Sequence, residues 1–524
     1  ELKYAEWYYG PQERLLISSQ LLIHPNKRWV ESGTITAAYQ NIGESRIQRK
    51  FGSLRRSYRA ETVNVFSVNG DFSVYVTADK KRALTYGFEF AYNDVDSNSY
   101  GRTLNIVDGE IDGFSDDFKV QSRYPDGGSN YMSSAIYVDY RQDVNSKTTL
   151  NSNLGYQFGT FSNSRLAFTG SNRVVTSDGQ ETFEGGGKSP SPSYYQKLPS
   201  YFERNFPNDL QFAYGAQQEF LNNGQINWED LYDANLINTI QGKNATYMVY
   251  NDVVGDKQIT ANTILSSELN EHVLLNASVN YKSLKSENYG EIQDLLGGTG
   301  FLNIDSFDGV QYDLINPNNI AKEGDKYGYN YNVFANVLSG YVQAQFNYNK
   351  VDFYVSGSLT NTQYQREGLF KHETFADNSF GKGEKLSFTG FGAKAGATYK
   401  ITGKHLFNFN AGYISKAPSI RNSYSNSRAN HNIVPNITEE KIMSVDASYI
   451  FRSPTINAKL TGYYTDLKDV NELSFFLADG IGNVIADSGT QQSGNDDTEF
   501  IQEILQGINK KHLGIEYGMD VQIT

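Results

Sequence analysis

The sequence predicts an all-β protein, a large antiparallel transmembrane β-barrel with long extracellular loops and short periplasmic turns. Three observations support this prediction. Apolar and polar residues alternate along many segments, these segments have similar lengths, and the connections between them are alternately short and long. Outer-membrane barrels place their long loops at one end, whereas soluble sandwiches have no reason to do so. About fifteen or sixteen segments are long enough to cross a bilayer with tilt.

The clearest hairpin is the stretch from His405 to Phe451. Its first strand places Phe407 and Phe409 on one face and Asn408 on the other, and its second strand continues the same alternation. A period of two with one apolar and one polar face is typical of a half-buried strand. We expect Phe407, Phe409 and Tyr449 to face lipid, and the polar face to line a water-filled interior.

The same alternation predicts the other elements in chain order. Strands are expected over about 14–23, 32–50, 55–78, 84–93, 131–140, 148–158, 257–269, 272–285, 341–349, 351–364, 385–400, 455–466 and 511–524. The alternation continues through Gly70 without a change of phase, so Gly70 is predicted to lie inside a strand, despite a hairpin-like Asn-Gly pair. The turn is expected at Asp79. A short helix is predicted at Trp228, and a loop of roughly forty residues is expected before the last strand.

Composition excludes several classes of protein. No run of about 18 apolar residues occurs, so the chain has no helical membrane span. A β-barrel remains compatible with the hydrophobic content of 39%, because its strands alternate between lipid and lumen. The 38 Tyr and 31 Phe suit membrane interfaces. A net charge of −13 argues against nucleic-acid binding, and it indicates either an ordinary acidic exterior or an acidic lumen that favours cationic solutes.

The sequence contains no convincing catalytic or metal-binding motif. There is no cysteine, and the six histidines have no paired spacing. Gly187-Lys188-Ser189 lacks the upstream glycine of a phosphate loop and is followed by prolines. Asp94 and Asp96 resemble the start of a calcium loop, but Ser99 and Asn105 replace its glycine and glutamate. The acidic run 108–117 is a second place for a cation. We expect no cofactor, no metal centre and no enzymatic activity.

Residues on irregular loops are the candidates for contact with a ligand or partner. Aromatic side chains on loops form stacking surfaces, and they also form small cores within large loops. Both roles are open here. The candidates are Tyr194, Tyr195, Tyr201 and Trp228 in the longest irregular region, 159–243, and Asn422, Tyr424 and Asn430 in the loop of the clearest hairpin. The region 159–243 is expected to be a long extracellular loop within the barrel.

Two motifs resemble those of TonB-dependent outer-membrane receptors. The segment 412–420, GYISKAPSI, resembles the strand end that carries Ala-Pro-Ser in that family, and 434–441, VPNITEEK, is similar to the entry into the next strand. In this second motif Glu439 replaces a proline. The segments 7–12 and 191–201 look like members of the Bacteroidetes type. The stretch from Tyr156 to Phe168 fits the resemblance least.

The resemblance implies a location in the bacterial outer membrane and a full barrel of about twenty-two strands. It also implies an N-terminal plug domain through which the TonB complex acts. By this resemblance, residues 1–524 are an incomplete barrel, and the plug and the last strands lie outside the sequence. Expected partners are the TonB complex, a surface lipoprotein or other outer-membrane subunits, and lipid with lipopolysaccharide.

The leading functional hypothesis is active uptake of a bulky solute, such as a siderophore, glycan or peptide. The alternative is a barrel that does not transport and acts as a scaffold subunit of an outer-membrane assembly or secretion complex, with its loops holding other proteins. The third hypothesis is a passive porin, and the fourth is a secreted β-rich protein. The sequence does not identify the solute.

Overall fold

The computed structural model describes residues 4–107, 110–118, 120, 122–123, 128–168, 172–175, 181–184, 189–305, 309–479 and 498–522. The early strands are β1 (Tyr4–Tyr9), β2 (Glu13–Ile23), β3 (Ser32–Lys50), β4 (Arg55–Tyr75), β5 (Arg82–Val107), β6 (Glu110–Phe118), β7 (Ser129–Asn145), β8 (Thr148–Phe168), β9 (Asn172–Val175) and β10 (Glu181–Glu184). Helices α1 (Pro199–Asn205), α2 (Leu210–Asn222) and α3 (Trp228–Ile240) follow. The later strands are β11 (Tyr247–Asn270), β12 (Val273–Asp294), β13 (Phe301–Leu302), β14 (Ile320–Ala321), β15 (Lys326–Asn347), β16 (Val351–Gly368), β17 (Gly381–Lys400), β18 (His405–Lys416), β19 (Glu440–Arg452), β20 (Ile456–Asp479) and β21 (Thr498–Val521).

One sheet of 17 strands dominates the molecule, and it is an antiparallel meander. Each long strand pairs with the long strand that follows it in the chain, from β3 through to β21. Strands β1 and β2 pair with successive parts of β3, and β6 pairs only with the end of β5. If β1 and β2 are counted as one row beside β3 and the short β6 is left out, the sheet has 15 rows. This confirms the predicted number of fifteen or sixteen strands. Among the described residues, β21 pairs only with β20.

The two faces of the sheet differ as the alternation predicts. In the clearest hairpin Phe407 pairs with Tyr449 and Asn408 pairs with Ser448, which confirms its expected register. Side chains on the Phe407 face are apolar and exposed, with Phe409 at 53%. The same face carries other exposed apolar side chains on the long strands from β4 onward, among them Ile136, Leu154, Val279, Leu338, Leu359 and Leu513. Exposed apolar area on this scale is a lipid-facing belt.

The opposite face carries polar side chains bonded from strand to strand. Asn410 donates to Asp446 over 3.0 Å, and Tyr354 donates to Asn410 over 3.3 Å across the intervening strand. Gly396 lies between Tyr354 and Asn410, and a Cβ there would lie 2.5 Å from the tyrosine ring. The missing side chain therefore allows two strands to bond across a third. This polar face is the lumen side of the sheet.

The connections differ between the two ends of the strands. At one end they are short, for instance two residues between β7 and β8, two between β11 and β12, and three between β15 and β16. At the other end β8 and β11 are separated by residues 169–246, and β18 and β19 by residues 417–439. Residues 51–54 are the exception, a short connection at the long-loop end. Short periplasmic turns and long extracellular loops are the arrangement of outer-membrane barrels.

Two local predictions near the start of the chain are confirmed. Gly70 lies within β4, paired with Ile35 and Phe88. A Cβ at Gly70 would lie 2.6 Å from the Phe88 ring, so the glycine makes room for an aromatic neighbour. The chain turns instead between β4 and β5, where Lys80 has a φ of +57°.

Several strands extend further than the sequence predicts. Strand β8 continues to Phe168 rather than ending at residue 158, and β20 and β21 extend through much of the loop expected between residues 466 and 511. Strands of 24 residues span about 80 Å, far more than a membrane crossing requires. Their outer parts stand in water on both faces, so alternation of apolar and polar residues does not mark them.

The long connection after β8 contains three helices, of which the sequence predicts only α3. Asp209 caps α2 by accepting from the Gln211 amide over 3.1 Å, and Pro199 begins α1. Asn235 anchors α3 to the sheet. Its side chain is fully buried, donates to the carbonyls of Tyr247 and Leu295 over 2.8 Å each, and accepts from the Thr246 amide. None of the described helices is long and apolar enough to cross a membrane.

Candidate site at the extracellular mouth

The connection between β18 and β19, residues 417–439, folds back over the lumen face of the sheet, and we call it the mouth loop. It contacts β16 through Arg366, β11 through Asp252 and β21 through Gln502. These strands lie far apart in the order of the sheet. One loop reaches all of them because the lumen face is concave, so the mouth loop partly covers the entrance to the interior.

Arg366 holds the mouth loop in place. It is 1% exposed, and its Nε donates to the Ser427 carbonyl over 2.7 Å. Its Nη1 donates to the Ser379 carbonyl over 3.0 Å and to His431 Nδ1 over 2.9 Å. The guanidinium also stacks over Tyr331, 5.2 Å from the ring centroid. Because a buried cation requires such compensation, these contacts fix the loop against β15 and β16.

His431 is held in its neutral form by this arrangement. A guanidinium only donates, so Nδ1 accepts from Arg366, and Nε2 donates to the Phe380 carbonyl over 3.4 Å. Burial lowers the pKa of His431, and the charge of Arg366 lowers it further. Nearby, burial raises the pKa of the Tyr424 hydroxyl to about 12. The groups that contact the Arg366 guanidinium are therefore neutral.

Asp252 is the second centre of the site. It is 8% exposed on the lumen face of β11 and accepts from the Tyr329 hydroxyl over 2.7 Å. Arg428 of the mouth loop lies 3.3 Å from it, and Arg165 of β8 forms a second ion pair. The Arg428 guanidinium also lies 4.3 Å from the centroid of the Tyr329 ring. Two cations thus share one carboxylate, and both remain about half exposed, at 52% and 57% of their side chains.

A buried aromatic cluster supports this centre from behind. Tyr250 and Tyr312 pack on Tyr327, with ring centroids 5.5 and 5.7 Å away, and Phe301 adds an edge contact. The Tyr312 hydroxyl donates to Asp305 over 3.1 Å, and burial raises its pKa well above the usual range. Packed rings limit the movement of the strands that carry Asp252, which keeps the charged groups in fixed positions.

The aromatic candidates of the long connection lie together in the helical part of the chain. Tyr194, Tyr195 and Tyr201 form a chain of edge-to-face contacts with centroid distances of 4.9 and 5.9 Å. This chain continues through Phe202 into α2. Trp228 is half-buried against the cluster around Leu231 and Leu296. These side chains form a small core within the extracellular region.

The three candidates of the mouth loop are largely internal to it. Tyr424 is 3% exposed and Asn430 is 2% exposed. Asn430 accepts from the Asn432 amide over 2.9 Å, and Asn422 donates to the Asn471 carbonyl over 2.7 Å. Tyr424 and Asn430 are therefore buried, whereas Asn422 is partly exposed.

Sequence reasoning missed Arg366, Asp252, Arg428, Arg165 and Tyr329. These residues come from four strands and one loop, and no two of those that touch are close in the sequence. One signal in the sequence could have found the strand residues among them. It is an Arg or Asp at a polar-face position of a strand, close to the end from which the long loops extend. Arg366 lies within β16, two residues beyond the end predicted for that strand at residue 364.

The candidates for metal or phosphate binding are not brought together. Asp94 and Asp96 lie within β5, paired regularly with Asn64 and Thr62 of β4, so the chain has no calcium-loop turn there. Within the described ranges no three His, Asp or Glu side chains gather as a metal site would require. Gly187 and Lys188, and Asp108 of the acidic run, lie outside the described residues.

Comparison with known proteins identifies the family. Residues 155–516 match the family described as TonB dependent receptor-like, beta-barrel. The chain belongs to this family. It is therefore a TonB-dependent receptor-like barrel of the outer membrane, and the match includes the stretch from Tyr156 to Phe168 that resembled the family least. No curated protein matches the chain.

The solved structures to which the chain is similar have low sequence identity to it. The copper transporter OprC is 8% identical, with a TM-score of 0.49, and the match covers 100% of this chain and 60% of that one. The ferric-catecholate import receptor Fiu from K12 E. coli is 11% identical, with a TM-score of 0.47 and coverage of 98% and 62%. The ferripyoverdine receptor of Pseudomonas aeruginosa is 10% identical, with a TM-score of 0.47 and coverage of 100% and 55%. The chain spans about 60% of the length of such structures.

Proposed function

We propose that this barrel takes part in active uptake of a bulky solute, a siderophore, glycan or peptide, and that the solute first binds at the mouth site. The observation that supports the proposal most is the convergence of Arg165, Arg428, Asp252 and Tyr329 on the lumen face beneath a loop that covers the entrance. A passive pore needs no such convergence, because its function depends on an open passage.

The charges at this site favour a solute with an anionic group. Arg165 and Arg428 together carry one more positive charge than Asp252 neutralises, and among the described residues Asp252 is the carboxylate partner of both. Each guanidinium has five N–H donors, more than one carboxylate can accept. A carboxylate, phosphate or catecholate oxygen can accept from them, and the Tyr329 ring offers a stacking surface. The local charge at the mouth therefore differs in sign from the net charge of −13.

Capture and release both depend on the mouth loop. Arg428 belongs to this loop and contacts Asp252, while Arg366 and His431 fasten its base. A solute that displaces Asp252 as the partner of Arg428 would loosen the cover. Transport onward would then require a plug domain and the TonB complex, as in the family.

Arg428→Ala tests the proposal, with Arg421→Ala as a matched control from the exposed side of the same loop. Binding of a ferric catecholate, a carboxylated oligosaccharide and a short acidic peptide would be followed by isothermal titration to the full-length protein in detergent. We expect one probe to bind the wild type and the control alike, and about tenfold or more weaker binding to R428A, since a lost charge-assisted contact is worth about 1.5–3 kcal/mol. Equal binding to all three proteins would remove the mouth site from the proposal.

Uptake itself is tested in cells. The bound probe should accumulate only when the TonB complex is present, and accumulation that continues without TonB would instead indicate a porin.

A scaffold function is the second candidate, and the helical region supports it. Helices α2 and α3 expose Phe212 at 53%, Tyr214 at 62%, Ile237 at 54% and Ile240 at 77%. Apolar side chains exposed in water are typical of protein interfaces. Purification from native membranes in mild detergent distinguishes the two functions. The scaffold function would be favoured by two results together. A stoichiometric partner would copurify with the wild type but not with a Phe212→Ser/Tyr214→Ser variant, and solute uptake by that variant would be unchanged.

A further inference from the structure

The outward face of the sheet changes from apolar to polar along one level of strands β11 to β17. At this level the apolar side chains on this face are Ile259, Tyr281, Leu338, Leu359 and Phe391. Over the next two outward positions toward the extracellular end, β12, β15, β16 and β17 carry Ser, Asn, Gln, Lys or Thr, apart from Phe334. Glu287, Tyr289 and Glu367 follow on the same face. Because lipid-facing residues alternate with lumen-facing ones, this change marks the boundary between hydrocarbon and headgroups.

Lysines cluster immediately above this boundary. One cross-strand row of the sheet joins Lys257, Lys285, Phe334, Gln365 and Lys385 in direct register, and all five face outward. On β15 this row lies four residues beyond Leu338, about 13 Å along the strand, or roughly 9 Å above the apolar belt at a tilt near 45°. This is the level of lipid headgroups.

The lysines of this row differ in their partners. Glu287 forms ion pairs with both Lys257 and Lys285, at 3.2 and 2.8 Å from their ammonium groups. Lys385 and the neighbouring Lys382 have no carboxylate within 4.0 Å among the described residues. Glu367, which pairs with Lys382 across the strands, accepts instead from Asn332 over 2.9 Å. The result is one pair of lysines that shares a carboxylate and one uncompensated pair.

The uncompensated pair lines a cleft. Its volume is about 130 Å³, and Lys382, Lys385, Gln363 and Asn336 provide its donors. Phe334 forms an apolar wall, and the Lys382 ammonium lies 5.8 Å from its ring centroid. Two ammonium groups and two amides directed into one outward cleft suit an oxyanion with several acceptors.

We propose that this cleft binds the phosphate group of an outer-leaflet lipid. The charge, the donors and the height of the cleft fit a lipid phosphate, and Leu338 and Leu359 lie below it, where the acyl chains of the same lipid would pack. Isolated lysines at a membrane interface only approach headgroups in general. Here the amides and the aromatic wall add a defined shape. The inference depends on the location in the membrane and not on solute uptake.

The test compares two double variants of the full-length protein. Lys382→Gln/Lys385→Gln removes the cations of the cleft, and Lys350→Gln/Lys404→Gln removes two exposed lysines from the turns at the opposite end of the same strands. Each protein is placed in nanodiscs of phosphatidylcholine that contain a small fraction of lipid A, which carries phosphate groups. Native mass spectrometry then counts the lipid A molecules retained per protein.

We expect the wild type and the Lys350→Gln/Lys404→Gln variant to retain lipid A. The Lys382→Gln/Lys385→Gln variant should retain at most about one tenth as much, because each interfacial lysine contributes appreciably to the attraction of anionic lipid. Folding of the variants is checked by circular dichroism. Equal retention by the two double variants would overturn the proposal. So would equal retention of dephosphorylated lipid A, or stabilisation of the wild type by inorganic phosphate to the same degree as by the lipid.

Discussion

Phe409→Arg tests the division of the sheet into a lipid face and a lumen face. Phe409 points outward from β18, and both of its cross-strand neighbours, Ala397 and Ala447, are too small and apolar to help a guanidinium. It lies four residues from His405, about 13 Å along the strand, or roughly 9 Å above the turn at a tilt near 45°. This is close to the middle of an apolar band about 25 Å tall, where arginine costs about 2–4 kcal/mol.

Asn408→Arg is the matched control, one residue away on the lumen face. It loses the hydrogen bond that Asn408 donates to Thr398 over 2.9 Å and the one it accepts from Asn410 over 2.8 Å. Each is worth about 1 kcal/mol, but water and the nearby Asp446 carboxylate remain to satisfy the new guanidinium. We expect a net cost of about 1 kcal/mol, well below that of F409R.

The assay is urea unfolding in phospholipid bilayers, followed by tryptophan fluorescence, with the folded fraction in the outer membrane as a second readout. Phe407→Arg adds a test of depth. It lies on the same face two residues closer to the turn, so its cost should be smaller than that of F409R, falling toward about 1 kcal/mol near the interface. If N408R destabilises the protein as much as F409R does, then the assignment of faces is wrong.

Two further predictions concern the extracellular side. Asn235→Asp should destabilise the attachment of α3 by about 2–4 kcal/mol, because two buried carbonyls lose their donor. Limited proteolysis should cut residues 189–246 of this variant sooner than those of the exposed control Asn222→Asp, while the barrel stays folded in both. The mouth loop should open as the pH falls. The pKa of His431 is lowered in the folded loop, so its stabilising effect is fully present above about pH 6.5 and is lost below that value. Hydrogen exchange of residues 417–439 should increase between pH 7 and pH 5, and a His431→Asn variant that keeps the same pH dependence would contradict this.

The sequence predicted the membrane-crossing part of the fold closely. Strand β3 has the expected bounds, and the hairpin from His405 to Phe451 has the expected register. Lipid on one side and water on the other impose a period of two, and this period can be read without a structure. Where β8 leaves the membrane and continues to Phe168, both faces meet water and the period carries no information.

The mouth site could not be predicted for a different reason. Its geometry depends on how far residues 417–439 fold back, and that is decided by contacts such as those of Arg366 with the Ser427 and Ser379 carbonyls. Backbone carbonyls are present at every residue, so no sequence pattern marks the ones that a buried arginine will select. The candidates chosen from the sequence, Tyr424 and Asn430, lie instead in the interior of the same loop.

These two results place the chemistry of the molecule in separate layers. Within the membrane, the polarity of each side chain matches the medium that it faces. Phe409 faces lipid, and its neighbour Asn408 faces the lumen. Above the membrane, a site depends on side chains that meet from different strands and loops. The two centres found there differ in their charge partners. Asp252 lies on the concave face and gathers cations from other elements, whereas Lys382 and Lys385 lie on the convex face and lack a carboxylate partner within the described part of the chain. On the two proposals made above, a solute and a lipid would meet opposite faces of the same sheet. Substitutions in one centre should leave binding at the other unchanged, since the two centres lie on opposite faces of the sheet.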